Sequence, residues 1–329
     1  MPRYLIIQTA SIGDVILATS LLEKLHLHDN NAFIDIMVKK GIESLFLSHP
    51  FIHKVYIWDK NSRKIRNLIE ILRTTRKERY DYVINVQRFM LTGFFTVLTG
   101  AKHTRGFRKN PLSVFFGKRY SHDIGRKGIH EIQRNHQLIS DITGEGPGPV
   151  RLYPSKADDA KVSQYKTHSY ICIAPASLWF TKQYPAEKWV DFLNQLDHNY
   201  YVYFLGSPGD KKLCDDIIER SGYPNCLNLA GKLSLLETAA LMREATMNYV
   251  NDSAPQHLAS AVNARTTAVF CSTVPAFGFG PLSDDAVVVE TDKVLKCRPC
   301  GLHGYRECPE GHFDCAYTVE TDKLIRRLG

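Results

Sequence analysis

The chain has 329 residues, 44% of them apolar and 23% charged, which is enough for two domains and unlike either a disordered tail or a small disulfide-stapled scaffold. Its net charge of +8 is uneven, because residues 1–150 carry 23 Lys/Arg against 13 Asp/Glu, or +10, and the rest of the chain comes to −2. The longest apolar stretches, Phe89 to Thr99 and Ala268 to Leu282, are broken by Gly, Thr, Ser or Pro before they reach the roughly 18 residues of a membrane span, so no transmembrane helix is expected.

In chain order the first half alternates short β-rich runs with helical patterns. The pattern predicts strands at Tyr4 to Gln8, Phe33 to Val38, Val55 to Trp58 and Tyr82 to Val86, and helices at Val15 to His26, Ile65 to Arg79 and Met90 to Gly100. A Gly/Pro stretch, Gly144-Glu145-Gly146-Pro147-Gly148-Pro149, reads as a linker. Alternation then resumes with strands at Ser169 to Ala174, Tyr201 to Leu205, Cys226 to Leu229, Met247 to Val250 and Thr267 to Cys271. Helices are expected at Ala186 to Leu196, Asp210 to Ser221, Ser234 to Ala245 and Pro255 to Val262. The expectation is α/β: two doubly wound halves, 1–150 and 151–329, with a cleft between them where open parallel sheets bind ligands. The N-terminal apolar run Tyr4 to Ile7 meets polar residues at once and lacks the form of an export signal, so a cytoplasmic location with reduced or metal-bound cysteines is expected.

Several segments are able to carry chemistry. Asp14, in the turn that follows the first strand, serves either as a helix cap or as a general base on a sugar hydroxyl. Ala174-Pro175-Ala176-Ser177 leaves a strand, and Lys182 in the next loop is either a solvated lysine or a diphosphate contact. Asp252, Ser253, Ala254 and His257 open a helix with Pro255 in its first turn, where free N–H groups and the helix dipole suit phosphate as well as a plain cap. Asp210 is either a cap or a ribose contact. His130 and Arg134 sit at the start of the last helix of the first half. Lys60 to Arg79 is the densest basic stretch, with eight Lys/Arg including Arg63, Lys64 and Arg66; it is either a solvated helix face or a field for an anionic partner. No helix-turn-helix, zinc-finger or aromatic RNA platform accompanies the charge, so a phosphorylated lipid or glycan is favoured over nucleic acid. Cys297, Cys300, Cys308 and Cys315 cluster late, where they either hold a structural zinc or remain as thiols or disulfides.

Taken together the segments resemble glycosyltransferase family 9, the ADP-heptose:lipopolysaccharide heptosyltransferases, over nearly the whole chain. The resemblance is carried, in the family's order, by Gly13-Asp14-Val15-Ile16-Leu17, Tyr82 to Gln87, Gly100-Ala101-Lys102 with Arg105-Gly106-Phe107, and His130 with Arg134-Asn135. It continues through Lys182-Gln183-Tyr184-Pro185 with Lys188-Trp189, Asn228 to Lys232 with Ser234-Leu235, Asn251-Asp252-Ser253 and Cys297-x-Pro299-Cys300. It implies a GT-B fold of two Rossmann-like domains, an acceptor-binding first domain and a donor-binding second domain. It further implies inverting transfer of a heptose from ADP-heptose to a lipopolysaccharide inner-core acceptor, with no cofactor required for catalysis. By this resemblance Asp14 is the general base and the donor is held by Ser177, Lys182, Asp210, Asp252, Ser253, Ala254 and His257. The phosphorylated, lipid-linked acceptor is expected on Arg63, Lys64, Arg66, His130 and Arg134, with peripheral contact at the inner face of the inner membrane. Ala254 stands where Gly is usual, Tyr184 where Trp is usual and Gln8 where a basic residue is frequent; the Ala254 β-carbon bears on the fit of the donor. A non-catalytic nucleotide-sugar binder and a transferase using another donor sugar are the alternatives. A nicotinamide-dependent dehydrogenase is disfavoured, since neither half carries the three-glycine fingerprint.

Overall fold

The computed structural model describes residues 1–125 and 128–328. It divides into two units, Met1–Tyr153 and Pro154–Gly329, each built on a six-stranded sheet whose strands all run parallel. In the first unit the strands are β1 (Arg3–Ile7), β2 (Phe33–Lys39), β3 (Ile52–Trp58), β4 (Tyr82–Asn85), β5 (His103–Phe107) and β6 (Lys118–Tyr120), in the order β3-β2-β1-β4-β5-β6. The helices are α1 (Ile12–His28), α2 (Lys64–Glu78), α3 (Met90–Leu98), α4 (Glu131–His136) and α5 (Ser140–Thr143). A central parallel strand is covered on both faces, which is why β1 reads as an unbroken apolar run with Leu5, Ile6 and Ile7 wholly buried. On one face Leu5 and Ile7 meet Leu68 and Ile71 of α2 and Phe95 of α3 in one apolar cluster.

The second unit repeats the plan with β7 (Tyr170–Ala174), β8 (Tyr201–Phe204), β9 (Cys226–Asn228), β10 (Met247–Asn251), β11 (Thr266–Phe270) and β12 (Ala286–Glu290), in the order β12-β11-β10-β7-β8-β9. Its helices are α6 (Lys156–Val162), α7 (Ala186–Gln195), α8 (Lys211–Ser221), α9 (Leu235–Arg243), α10 (Ala254–Ala261), α11 (Asp314–Tyr317) and α12 (Asp322–Ile325). Trp189 and Phe192 of α7 pack on Tyr249 of β10, whose hydroxyl donates to the Leu324 carbonyl at 2.9 Å and so ties the chain's end to this core.

Each sheet reverses its strand order once, at β1/β4 and at β7/β10. Loops at the carboxyl ends of strands flanking such a reversal are where parallel α/β sheets hold ligands, because the two crossovers diverge and leave a crevice. The predicted elements lie within a few residues of these bounds. The structure adds β5, β6, β12, α5, α6, α11 and α12, of which β5 and β6 carry His, Arg, Gly and Lys in place of an apolar run. The Gly/Pro stretch read as a linker lies along α1: the Lys24 ammonium donates to the Glu145 carbonyl at 2.9 Å, and Gly148 sits so close that a β-carbon there would stand 2.5 Å from the Ser20 carbonyl oxygen. Arg151 N–H then donates to Thr19 Oγ1 at 3.1 Å and Tyr153 to Glu23 at 2.8 Å, which keeps the segment with the first unit.

Candidate active site

At the β1/β4 edge, the turn after β1 opens α1 through a capping box. Ser11 is the N-cap; its N–H and hydroxyl donate to Asp14 Oδ2 at 3.1 and 2.5 Å, and Asp14 N–H donates back to the Ser11 hydroxyl at 3.3 Å. Asp14 is thus the N3 member of the box, not the cap itself. The box occupies Oδ2 only, and among the described residues Asp14 Oδ1 has no hydrogen-bond partner. Beneath it Gln8 and Gln87 are buried and joined by a bond from the Gln87 amide to Gln8 Oε1, which also accepts from Ala10 N–H at 3.2 Å. Thr9 Oγ1 and Gln87 Oε1 are buried here with no partner among the described residues. Each leaves at this edge a buried polar group that a water molecule or a polar ligand would satisfy.

Lys60 reaches the same turn, its ammonium donating to the Thr9 carbonyl at 2.6 Å while lying over the Trp58 ring at 4.8 Å. Burial, then the neighbouring charges of Lys39 and Lys64, bring its pKa down to about 8. Sequence reasoning had only counted Lys60 among eight basic residues; nothing local distinguishes it, because the carbonyl it meets lies 51 residues earlier. Arg63, Lys64 and Arg66 lie exposed at the start of α2, Arg63 in the left-handed region at φ 49° and Arg66 paired with Glu70 at 3.1 Å. His130 is the N-cap of α4, its Nδ1 accepting from Ile132 N–H at 3.3 Å. Arg134 is buried and bound to Glu131 at 2.7 Å, and Glu131 also meets His122 at 2.9 Å. Arg134 therefore fixes the base of α4 and reaches no open surface.

At the β7/β10 edge three loops converge. Lys182, after β7, forms an ion pair with Asp252, after β10, at 2.6 Å; both are largely buried, and Thr273 beyond β11 donates its hydroxyl to Asp252 at 2.6 Å. The neighbouring Asn251 is wholly buried and cross-links the edge, accepting from Tyr184 N–H at 3.0 Å and donating to the Pro175 carbonyl at 2.6 Å. Ser177 is held through its carbonyl by the Gln183 amide at 2.7 Å. A buried ion pair stands only where other bonds satisfy both groups, and one carboxylate contact leaves an ammonium two further N–H donors. Ser253 is the N-cap of α10, yet its hydroxyl makes no capping bond, so it and Ala254 present the helix start half-exposed. His257 is buried one turn further on. Asp210, after β8, closes a capping box in which its Oδ2 accepts from Ser207 N–H and Oγ, each at 2.7 Å. Sequence reading brought Lys182 and Asp252 forward separately; Thr273, which orients Asp252, was missed because a threonine in a loop carries no signal of its own.

The late cysteines are free: Cys300 and Cys315 are buried, Cys297 and Cys308 half-buried. Burial and the nearby thiols push Cys315 up to about 12 and raise Cys300. Cys297 Sγ stands 3.8 Å from His312 Nε2, but among the described residues no three His, Cys, Asp or Glu side chains come together as a metal cage.

Two Rossmann-like parallel units, each with polar and charged loops at its strand reversal, define a protein of the GT-B fold. Residues 68–305 match the model of glycosyltransferase family 9 (heptosyltransferase). Lipopolysaccharide heptosyltransferase 3 of Escherichia coli is 24% identical over 279 residues, spanning 79% of this chain and 81% of its own. Among solved structures, E. coli ADP-heptose LPS heptosyltransferase II aligns with a TM-score of 0.80 at 20% identity, covering 100% of this chain and 97% of its own. E. coli heptosyltransferase WaaC with ADP aligns at 0.75 and 18% identity, covering 98% of each chain. The chain belongs to glycosyltransferase family 9, and it is a glycosyltransferase.

Proposed function

We propose that the enzyme transfers a heptosyl group, with inversion, from ADP-heptose to a phosphorylated sugar of a lipid-linked lipopolysaccharide core acceptor. The observation that carries the reading is the Lys182–Asp252 pair beside the uncapped start of α10 at the β7/β10 reversal. Asp252, steadied by Thr273, holds the Lys182 ammonium in place, and the ammonium's remaining N–H donors face a diphosphate together with the Ser253 and Ala254 N–H groups and the dipole of the helix end. Pro255 has no N–H, and Gln256 N–H is bonded to the Ser253 carbonyl. In the reaction the Asp14 carboxylate takes the proton of an acceptor hydroxyl, that oxygen bonds to the anomeric carbon, and the bond from this carbon to the diphosphate oxygen breaks. ADP leaves with the electron pair, its growing charge met by Lys182 and the helix end. The likeness to a solved heptosyltransferase with ADP supports an adenine nucleotide as donor carrier. Arg63, Lys64 and Arg66, exposed on the basic unit, are assigned to the acceptor's phosphates, with His130 beside them in role.

The test is saturation of the purified chain by ADP-heptose against other nucleotide sugars, read as ADP release in the presence of a core acceptor. Saturable release with ADP-heptose alone supports the reading. Release with a different nucleotide sugar reassigns the donor, and release with none overturns it.

A further inference from the structure

After β11 the chain turns through Cys271, Ser272 and Thr273, and the Thr273 hydroxyl donates to Asp252 Oδ2, the same oxygen that pairs with the Lys182 ammonium. Carbonyls beyond the end of a strand lose their ladder partners and must find donors elsewhere. Here four successive ones, from Phe270 to Thr273, are met by a single later segment. The Arg298 side chain, only 10% exposed, donates Nε–H to the Cys271 carbonyl at 2.7 Å. Its Nη2 faces the carbonyls of Phe270 at 3.2 Å and Thr273 at 2.8 Å, and Glu290 Oε2 at 2.5 Å. Cys300 N–H donates to the Ser272 carbonyl at 2.8 Å. A planar guanidinium spans several acceptors in a fixed fork, so Arg298 sets the path of this turn and with it the direction of the Thr273 hydroxyl.

The same segment crosses to the loop that bears Lys182. Thr181 N–H donates to the Tyr305 carbonyl at 3.1 Å, and Tyr305 N–H donates to Thr181 Oγ1 at 2.7 Å. Ser272 joins the two loops directly, its hydroxyl donating to Thr181 Oγ1 at 3.0 Å and its N–H to the Thr181 carbonyl at 3.2 Å. Gly304 is buried where they meet, at φ 77°; a β-carbon there would stand 2.8 Å from Thr181 Oγ1 and 3.1 Å from both Lys182 Cγ and Ser272 Oγ. Lys182 and Thr273 thus reach Asp252 from two loops that are fastened to each other and to one strap, residues 298–305. We infer that Arg298 is a positioning residue for transfer: through the turn after β11 it aims Thr273 at Asp252 and so fixes the Lys182 ammonium, while its own N–H groups are occupied by carbonyls and Glu290. This rests on the reading of Lys182 as the diphosphate contact and deepens it, because charge growing on a leaving group is stabilised only by donors already in place.

Steady-state kinetics of the full chain with ADP-heptose and a core acceptor tests it. Arg298→Lys keeps the charge but loses the fork, so kcat/KM for the donor should fall about 10–100-fold while KM for the acceptor stays near that of the parent. Ser272→Ala removes only the hydroxyl that joins the two loops; it should lower the same quantity about three-fold or more with little change in thermal midpoint, and it decides the matter if Arg298→Lys does not fold. Both substitutions are repeated in a Lys182→Ala background. Acting through Lys182, each should cost less than about two-fold further there, whereas a merely structural role would multiply with the loss of the lysine. Full multiplication, or donor kcat/KM unmoved by both substitutions in a chain that Lys182→Ala impairs, would overturn the inference and leave the donor reading standing. Turnover that survives Lys182→Ala would overturn both.

Discussion

The Asp14 carboxylate is divided: Oδ2 closes the capping box of α1, while Oδ1, which has no hydrogen-bond partner among the described residues, is the oxygen assigned to the proposed general base. Asn at this position retains a carbonyl oxygen for the Ser11 N–H, so Asp14→Asn should fold normally, bind donor and lose turnover by about 10²–10⁴-fold. A variant with near-parental turnover would remove Asp14 from the mechanism. Lys182→Ala removes a charge-assisted contact and strands Asp252 in a largely buried site, so both donor KM and kcat should suffer, by about 10–150-fold in kcat/KM, with some loss of stability. Lys60 makes a prediction of a different type. Its pKa falls to about 8 on folding, so between about pH 8 and the ordinary lysine range the unfolded chain binds more protons than the folded one. Stability should therefore rise with pH across that window, and urea unfolding of Lys60→Met should lack this contribution to the slope.

At the scale of elements, close backbone approach fixes what local propensity leaves open. The stretch from Gly144 to Pro149 has every compositional mark of a free linker, yet Gly148 lies where a β-carbon would come within 2.5 Å of the Ser20 carbonyl and 2.8 Å of Lys24 N. Neither is a flexible side chain that yields, so Gly148→Ala should cost about 1–3 kcal/mol, read from denaturant midpoints, with the contacts of Arg151 and Tyr153 to α1 loosened. The start of α10 is the opposite case, a helix end left without its side-chain cap. A side-chain cap is typically worth about 1 kcal/mol, and α10 shares its absence with α2, α3, α7 and α8, so it is the neighbouring Lys182 and Asp252, not the missing cap, that distinguish this helix start.

Over the whole molecule the charge is divided, +10 on residues 1–150 against −2 on the remainder, and the first unit is where the acceptor is assigned. Binding of a phosphorylated acceptor should weaken as salt rises, and more so after charge reversal at Arg63, Lys64 and Arg66; affinity indifferent to both would separate that basic stretch from the acceptor. The alternation of strands and helices was legible because a buried parallel strand must be apolar along its length, as Tyr4 to Ile7 and Tyr170 to Ala174 are. The short strands β5 and β6 were not: β6, at the sheet's edge, is exposed enough to carry Lys and Arg, and β5 inside it buries Arg105 by pairing it with Asp141. Asp14, Lys182 and Asp252 announced themselves through the turns that follow strands, where chain direction and residue type are local facts. What the sequence could not convey is which loops share an edge. The reversal of strand order brings residues 182, 252 and 273 together and carries Lys60 onto the Thr9 carbonyl. Composition and periodicity thus determined two α/β units and their loops, while the pairing, burial and altered basicity of the site residues were decided by tertiary packing, because those depend on distances between segments far apart along the chain.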